Sequence, residues 1–348
     1  MQTDVAICDR PYHIAIEEQP LEPLTVGDVL VKVAFCGVCP WDLRVFSGLS
    51  KSAHYPLRLG HEVSGVVEAI GSRTLAVRPG DRVVVDVIRR CGTCAKCRSG
   101  FENHCERADY SRGGYAGHIV APIESIYPLR QTTPLIEASL TEPLACVVRG
   151  QHRIGVGPED AVLVVGSGPI GLLHVQALKA RRARVLVSDP LAVRLEKACS
   201  LGADATINPL TENLAEVVKA ETDGQGVNAA IIATSNIESI KQTLPVLCVG
   251  GRLLLFAGFY PEGKMTLDLN AIHYQELLVA GTSDYTRIEF AEALRLIEDK
   301  TVRISPLISH VYPLQEISQG LHTAEAQKGL KVVVQCNEVE AFDPGASA

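Results

Sequence analysis

No apolar run in this chain approaches the ~18 residues that a membrane-spanning helix needs. No run of lysine and arginine stands out among the 33 basic and 40 acidic residues. With a formal charge of -7, neither nucleic acid nor an anionic membrane is expected as a partner. The opening stretch MQTDVAICDRPYHIAIEEQP lacks a basic n-region and an apolar h-region and shows strand alternation instead. A secretory leader is therefore not expected, and a cytoplasmic setting is. Internal repeats and low-complexity segments are also missing. The 11 cysteines are an odd number, which argues against a fully paired disulfide framework. Tryptophan occurs once, at position 41. What is present is a chain of 348 residues, 47% hydrophobic and 21% charged, which suits one large or two ordinary folded domains.

Up to about Ile126 short β-like runs alternate with glycine and proline, as in VLVKVAF (29–35), VSGVVEAIG (63–71) and DRVVVDVI (81–88). This pattern predicts a β-rich domain. From about Gly155 the texture changes. AVLVVG (161–166), RVLVSD (184–189), VNAAIIAT (227–234), GRLLLFAG (251–258) and LLVAGT (277–282) read as buried strands. PIGLLHVQALKAR (169–181) and VRLEKACSLG (193–202) lie between them with helical spacing. Such alternation predicts βαβ units and a doubly wound parallel sheet, an α/β fold. The helix EFAEALRLIEDK (289–300) leads into a segment ending in GLKVVVQ that has no place in that sheet and could return to the first domain. The tail FDPGASA (342–348) reads as mobile.

Gly166, Gly168 and Gly171 form G-x-G-x-x-G directly after a predicted strand, and Pro169 and Ile170 open the helix that follows. The first glycine permits a tight turn, the second lets a pyrophosphate approach the backbone, and the third lets helix and strand pack closely. The anion would then rest on the helix N-terminus. Asp189 ends the next strand about 20 residues on, where a ribose 2′-hydroxyl is accepted and a 2′-phosphate repelled. The pattern predicts a dinucleotide site that favours NAD. Arg194, one turn into the next helix, is either an adenosine contact or a solvated helix residue.

Cys91, Cys94, Cys97 and Cys105 stand in the spacing C-x2-C-x2-C-x7-C. Four thiolates from one loop close a tetrahedral zinc site with no open position, which is a structural site. An iron–sulfur cluster uses the same ligands, but no proline follows the fourth cysteine, and zinc is the better fit. A second, open site would need about three mixed ligands. Cys39, His61 and one of Glu62 or Glu142 would serve, with Asp42 accepting from the other His61 ring nitrogen and fixing its tautomer.

Together these residues resemble the zinc-containing medium-chain dehydrogenase/reductase family, polyol dehydrogenase branch. The likeness covers nearly the whole chain, with GVC-x-x-D (37–42), GHE (60–62), the four-cysteine lobe, Glu142-Pro143, and GSGPIG (166–171) with Asp189 in the family's order. The resemblance implies a GroES-like β-rich catalytic domain over 1–148, carrying the lobe 91–105. It also implies a Rossmann NAD-binding domain over 149–284, a return to the catalytic domain over 285–348, and an active site between the domains. Cys39 and His61 carry over as catalytic-zinc ligands, since the family spacing to Asp42 selects Cys39 over Cys36, and the third ligand is Glu62 or Glu142. Glutamate at 142, where alcohol dehydrogenases proper have cysteine, points to the sorbitol, threonine and sugar-alcohol enzymes. The implied reaction moves a hydride from a secondary alcohol of a polyol, sugar or amino alcohol to NAD, with one catalytic and one structural zinc per chain. A homodimer or homotetramer, paired through the sheet edge near 251–282, is implied too. By family position RGGY (112–115) could reach substrate, whereas His54 and Tyr55 read as loop residues.

Trp41 departs from the family, which has serine or threonine there to begin a proton relay. An indole has one N–H donor and no acceptor, so it cannot pass a proton in that way, and it is larger. Pro40 departs as well. One reading keeps the polyol dehydrogenase, with Glu62, Glu142 or water carrying the proton. A second is a reductase of a conjugated or iminium substrate using NAD(P)H. A third turns Trp41 into the core, and a fourth is a dinucleotide-binding protein without catalysis. His152 and His174 read as packing or surface residues. Cys8, Cys146, Cys199, Cys248 and Cys336 read as small buried apolar residues.

Overall fold

The apolar run at 29–35 becomes the strand Asp28–Gly37, on which one β-rich sheet is centred. The computed structural model describes residues 1–71, 76–110, 113–260 and 262–338; Arg112 of the RGGY stretch and the tail 342–348 lie outside the described residues. The sheet runs Ile126–Pro128, Arg82–Val85, Glu62–Ile70, Asp28–Gly37, Lys331–Gln335, Ile308–Pro313, and His118–Pro122 also pairs with Asp28–Gly37. The pairings are antiparallel except that of Ile308–Pro313 with Lys331–Gln335. Register matters here: Gly37 lies opposite Glu62 on one side and Val333 on the other. The GHE segment and the C-terminal strand therefore flank the chain just before Cys39.

Residues 161–281 build a different sheet. Its strands lie in the order Ala205–Ile207, Arg184–Ser188, Ala161–Val165, Val227–Ile232, Leu247–Leu255, Leu278–Gly281, and all pairings are parallel. In chain order this is 3-2-1-4-5-6, the doubly wound arrangement whose order reverses beside its first strand. Near-continuous Val, Leu, Ile and Ala in these strands reflects burial on both faces; Val162, Leu163, Val164, Leu186 and Ile231 are fully enclosed. No helix among the described residues is long and apolar enough to cross a membrane.

The chain divides into two compact units, Met1–Pro143 with Ala293–Asp299 and the chain from Ile304, and Leu144–Glu292 with Lys300–Arg303. The divisions at 143/144 and 292/293 fall inside the helices Thr141–Arg153 and Arg287–Glu298, and residues 148/149, a boundary expected from sequence, also lie within the first of these helices.

Within the second unit a charge network fixes the start of the helix Arg287–Glu298. Glu289 accepts from Thr286 N–H (2.8 Å), from Arg149 (3.3 Å) and from His152 Nδ1 (3.3 Å). His152 Nε2 lies 3.2 Å from Glu292, which also accepts from Arg181 at 2.9 Å. The carboxylates of Glu289 and Glu292 push the His152 pKa up to about 9. Burial works against the Glu289 carboxylate, yet His152 and Thr286 bring it down to about 2. A raised histidine pKa contributes stability that is complete below its ordinary value of about 6.5 and is lost as pH rises through about 9. The depressed Glu289 contributes above its ordinary 4.5 and is lost as pH falls through about 2. Melting temperature followed from pH 6.5 to about 9 should thus fall more in the wild type than in His152→Gln; parallel curves would refute the link. His174 behaves differently: it is fully buried edge-on to Phe256, and burial pulls its pKa down to about 3, so it stays neutral.

Candidate metal centre and dinucleotide loop

The spacing C-x-x-D has a local cause. Cys39 is the extended N-cap residue of the helix Pro40–Phe46 and Asp42 is its third residue. The Cys39 side chain accepts from the Asp42 backbone N–H, and Asp42 Oδ2 accepts from the Cys39 backbone N–H at 3.1 Å. This is a capping box with cysteine in the place of serine. Pro40 sits where a missing N–H costs nothing. The box turns the Asp42 carboxylate inward, where it is wholly buried and also accepts from Gly60 N–H (3.2 Å) and Tyr115 Oη (2.8 Å). Burial alone would raise the Asp42 pKa; His61 and the donors from Cys39 and Tyr115 hold it below the usual carboxylate value.

His61 Nδ1 lies 3.5 Å from Asp42 Oδ1, which leaves Nε2 as the ring nitrogen free for a metal. Ligand atoms of Cys39, His61 and Glu62 all lie within 4.8 Å of one another. Burial disfavours a charged His61, but Asp42 and Cys39 together raise its pKa well above the ordinary value. The pocket therefore stabilises a positive charge on the ring, and a zinc ion held by sulfur, nitrogen and oxygen satisfies the same demand without the proton. The donor set fits the metal.

Glu62 carries a partner that sequence reasoning missed. Lys331 Nζ lies 2.6 Å from both Glu62 oxygens, donating to Oε1. Lys331 is 5% exposed and Glu62 fully buried. Burial disfavours the ammonium, but Glu62 and Cys39 raise its pKa, and Glu142 is near enough to add to the effect. Glu142, the other candidate ligand, is itself buried on the helix Thr141–Arg153 but is not in the Cys39–His61–Glu62 cluster. Gly37 makes room for the pair, since a Cβ there would meet Glu62 Oε2 at 1.9 Å. The available signal was slight: a lysine opening an otherwise apolar strand, KVVVQ.

Trp41 is half-buried with its ring edge-on to His61, centroids 5.8 Å apart at 78°. It forms part of the wall at the candidate metal position. Tyr115, expected by family position to reach substrate, is instead fully buried against Asp42. Tyr55 donates to Val45 O at 2.5 Å and braces the helix Pro40–Phe46.

In the lobe, sulfurs of Cys91 and Cys97 lie 3.9 Å apart and those of Cys94 and Cys105 4.0 Å apart, and all four lie within 4.8 Å of one another. A tetrahedral zinc–thiolate site spaces its sulfurs about 3.8 Å apart. Backbone N–H groups of Thr93 and Cys94 pull the Cys91 pKa down to about 5. Of the other cysteines, Cys8 and Cys336 are buried and Cys146 and Cys248 partly so, whereas Cys199, expected inside, is exposed. It lies on the helix Ala192–Ser200, whose buried residues are Leu195 and Ala198.

At the glycine-rich turn Gly166 has φ +95°, and a Cβ on Gly171 would meet Gly166 O at 1.9 Å. A Cβ on Gly168 would meet nothing within 4 Å, so that backbone stands open just where the helix Pro169–Ala180 begins. The Ser167 hydroxyl is buried with no partner. Asp189 Oδ2 accepts from Ser167 N–H at 2.7 Å and Oδ1 from Leu191 N–H at 2.9 Å, which ties the second strand's end to the turn. An open backbone, an orphan hydroxyl and a fixed carboxylate fit a dinucleotide. Arg194 is half-buried on the helix Ala192–Ser200.

The chain is similar to known proteins along most of its length. The alcohol dehydrogenase GroES-like domain family matches residues 25–131 and the zinc-binding dehydrogenase family residues 169–299. A D-arabitol-phosphate dehydrogenase of Enterococcus avium is 30% identical over 91% of this chain and 92% of its own length. The chain belongs to the zinc-containing medium-chain dehydrogenase/reductase family. Another member similar to it is a sorbitol dehydrogenase of Halalkalibacterium halodurans, 28% identical over 92% of this chain and 95% of its own. Among solved members, a zinc-binding dehydrogenase of Sinorhizobium meliloti 1021 bound to NADP superposes with a TM-score of 0.90 at 26% identity, covering 97% of this chain and all of that one.

Proposed function

We propose that this chain is a zinc-dependent dehydrogenase that takes a hydride from a secondary alcohol of a polyol, sugar or amino alcohol and delivers it to NAD. The observation that carries the reading is the convergence of Cys39, His61 and Glu62 within 4.8 Å, backed by Asp42. Cys39 and His61 would hold the catalytic zinc, with Glu62 or Glu142 as the third ligand; Cys91, Cys94, Cys97 and Cys105 would hold the structural one. When bound, the catalytic zinc supplies Lewis-acid polarisation of the substrate hydroxyl. Asp42 keeps His61 in one tautomer, and Lys331 keeps the Glu62 carboxylate aimed. With indole at position 41, the proton leaves by way of a glutamate or water. Asp189 supports NAD over NADP, because its carboxylate accepts from a ribose hydroxyl and repels a phosphate. The enzyme works in the cytoplasm as a homodimer or homotetramer. The strand Leu278–Gly281, which has one neighbour in the sheet among the described residues, supports pairing with a second copy.

The test is NADH formation by zinc-loaded protein on a panel of polyols, sugars, sugar phosphates and amino alcohols. A substrate-dependent signal, stronger with NAD than NADP and lost on chelation, is expected. Silence across the panel with both zinc ions bound would overturn this reading in favour of the reductase of an unsaturated or iminium substrate, which Trp41 beside His61 favours. Zinc in the cysteine lobe alone would leave a dinucleotide-binding protein without catalysis.

A further inference from the structure

We propose that Tyr115 is a positioning residue for the metal centre: its hydroxyl aims the Asp42 carboxylate at His61 and so decides which ring nitrogen of His61 faces Cys39 and Glu62. The inference rests on the zinc reading above.

Tyr115 is completely enclosed, and phenylalanine would fill the same space. What tyrosine adds is one O–H. Its oxygen lies 2.8 Å from Asp42 Oδ2 and 3.1 Å from Gly37 O. A single proton serves one acceptor, and the carboxylate is the stronger. Asp42 then receives donors from three separate segments: Cys39 N–H and Tyr115 O–H on Oδ2, and Gly60 N–H on Oδ1. Two of these come from backbone; Tyr115 is the side-chain donor. Pinning Oδ2 matters because Oδ1 is the oxygen that faces His61 Nδ1, at 3.5 Å. A rotation of the carboxylate about its Cβ–Cγ bond swings Oδ1 away from the ring and releases the tautomer. Tyr115 is itself fixed. Its N–H donates to Leu59 O at 3.2 Å, and a Cβ on Gly60 would meet Tyr115 N at 2.7 Å and Cγ at 3.0 Å. The ring, Gly60 and Asp42 form one packed block, with Gly60 at φ +91°.

The experiment compares wild type, Tyr115→Phe, Asp42→Asn and the double variant. Zinc dissociation from the centre is read by competition with a chelator, and the ligand field by the visible spectrum of the cobalt-substituted protein. We expect Tyr115→Phe to weaken zinc about tenfold. The cobalt bands should shift and kcat should fall, while KM for NAD and the four-cysteine zinc stay unchanged. Because Tyr115 acts through Asp42, its substitution should add nothing in the Asp42→Asn background. Zinc affinity within about twofold of wild type in Tyr115→Phe overturns the proposal. So does an equal loss on top of Asp42→Asn, or loss of the four-cysteine zinc, each of which reports a general packing role. Wild type that binds zinc only in the lobe sinks the catalytic-zinc reading itself, whereas an unchanged Tyr115→Phe beside a wild type with both ions sinks this inference alone.

Discussion

Replacing Lys331 by methionine should destabilise the unit that contains it by about 3–5 kcal/mol, the usual effect of removing one partner from a buried ion pair. Methionine keeps the length of the side chain and loses the charge. Glu62 would remain fully buried without the ammonium that reaches both its oxygens, in a pocket that also holds the carboxylate of Asp42. Urea unfolding of zinc-free protein measures the effect, and Trp41, the one tryptophan of the chain, lies in the same unit and reports it. The double variant Glu62→Gln/Lys331→Met should regain most of the loss, because removing both charges together leaves no orphan. Zinc should also narrow the gap, since the ion supplies Glu62 with another positive partner. A single-variant loss below about 1 kcal/mol would show that the ammonium is not what stabilises Glu62.

Cys39→Ser should abolish the catalytic zinc while leaving the fold in place. Serine is a better N-cap than cysteine, so the helix Pro40–Phe46 keeps its start. As a metal ligand it is far poorer, because its hydroxyl stays protonated where a thiolate binds zinc directly. Bound zinc should fall to the lobe site alone. Turnover should fall by about three orders of magnitude or more, in keeping with the several kcal/mol a Lewis acid contributes. NAD affinity should hold, since the glycine-rich turn belongs to the other unit. Elemental analysis after dialysis, together with NADH formation on the substrate found by the panel, checks both halves. Undiminished turnover, or retention of both ions, would remove Cys39 from the site.

The parts of the molecule that sequence made legible are those whose cause is local. The glycine-rich turn and the four-cysteine lobe each occupy one short stretch whose spacing states the geometry, and each parallel strand is a short apolar run of its own. The C-x-x-D stretch is similar: a capping box needs only a cap and a third residue. What stayed hidden depends on strands meeting across the sequence. Lys331 and Glu62 are 269 residues apart, and Tyr115 and Asp42 are 73 apart. The first contact follows from the register that sets Gly37 between Glu62 and Val333, and the second from the bond of Tyr115 N–H to Leu59 O. A one-residue slip would turn every side chain of Lys331–Gln335 to the other face. Cys199 misled for the opposite reason, since residue type was read without the helix face that decides exposure.

The order of synthesis adds a consequence. Lys331–Gln335 lies inside its sheet, between Asp28–Gly37 and Ile308–Pro313, and not at an edge. On the ribosome the residues that surround Cys39 emerge first, yet their sheet cannot close until the last strand has left the exit tunnel. Residues 144–292 are by then complete. The stretch up to residue 143 thus precedes residues 144–292 in synthesis yet completes its sheet after them, and a nascent chain stopped short of residue 331 carries Glu62 without the Lys331 ammonium.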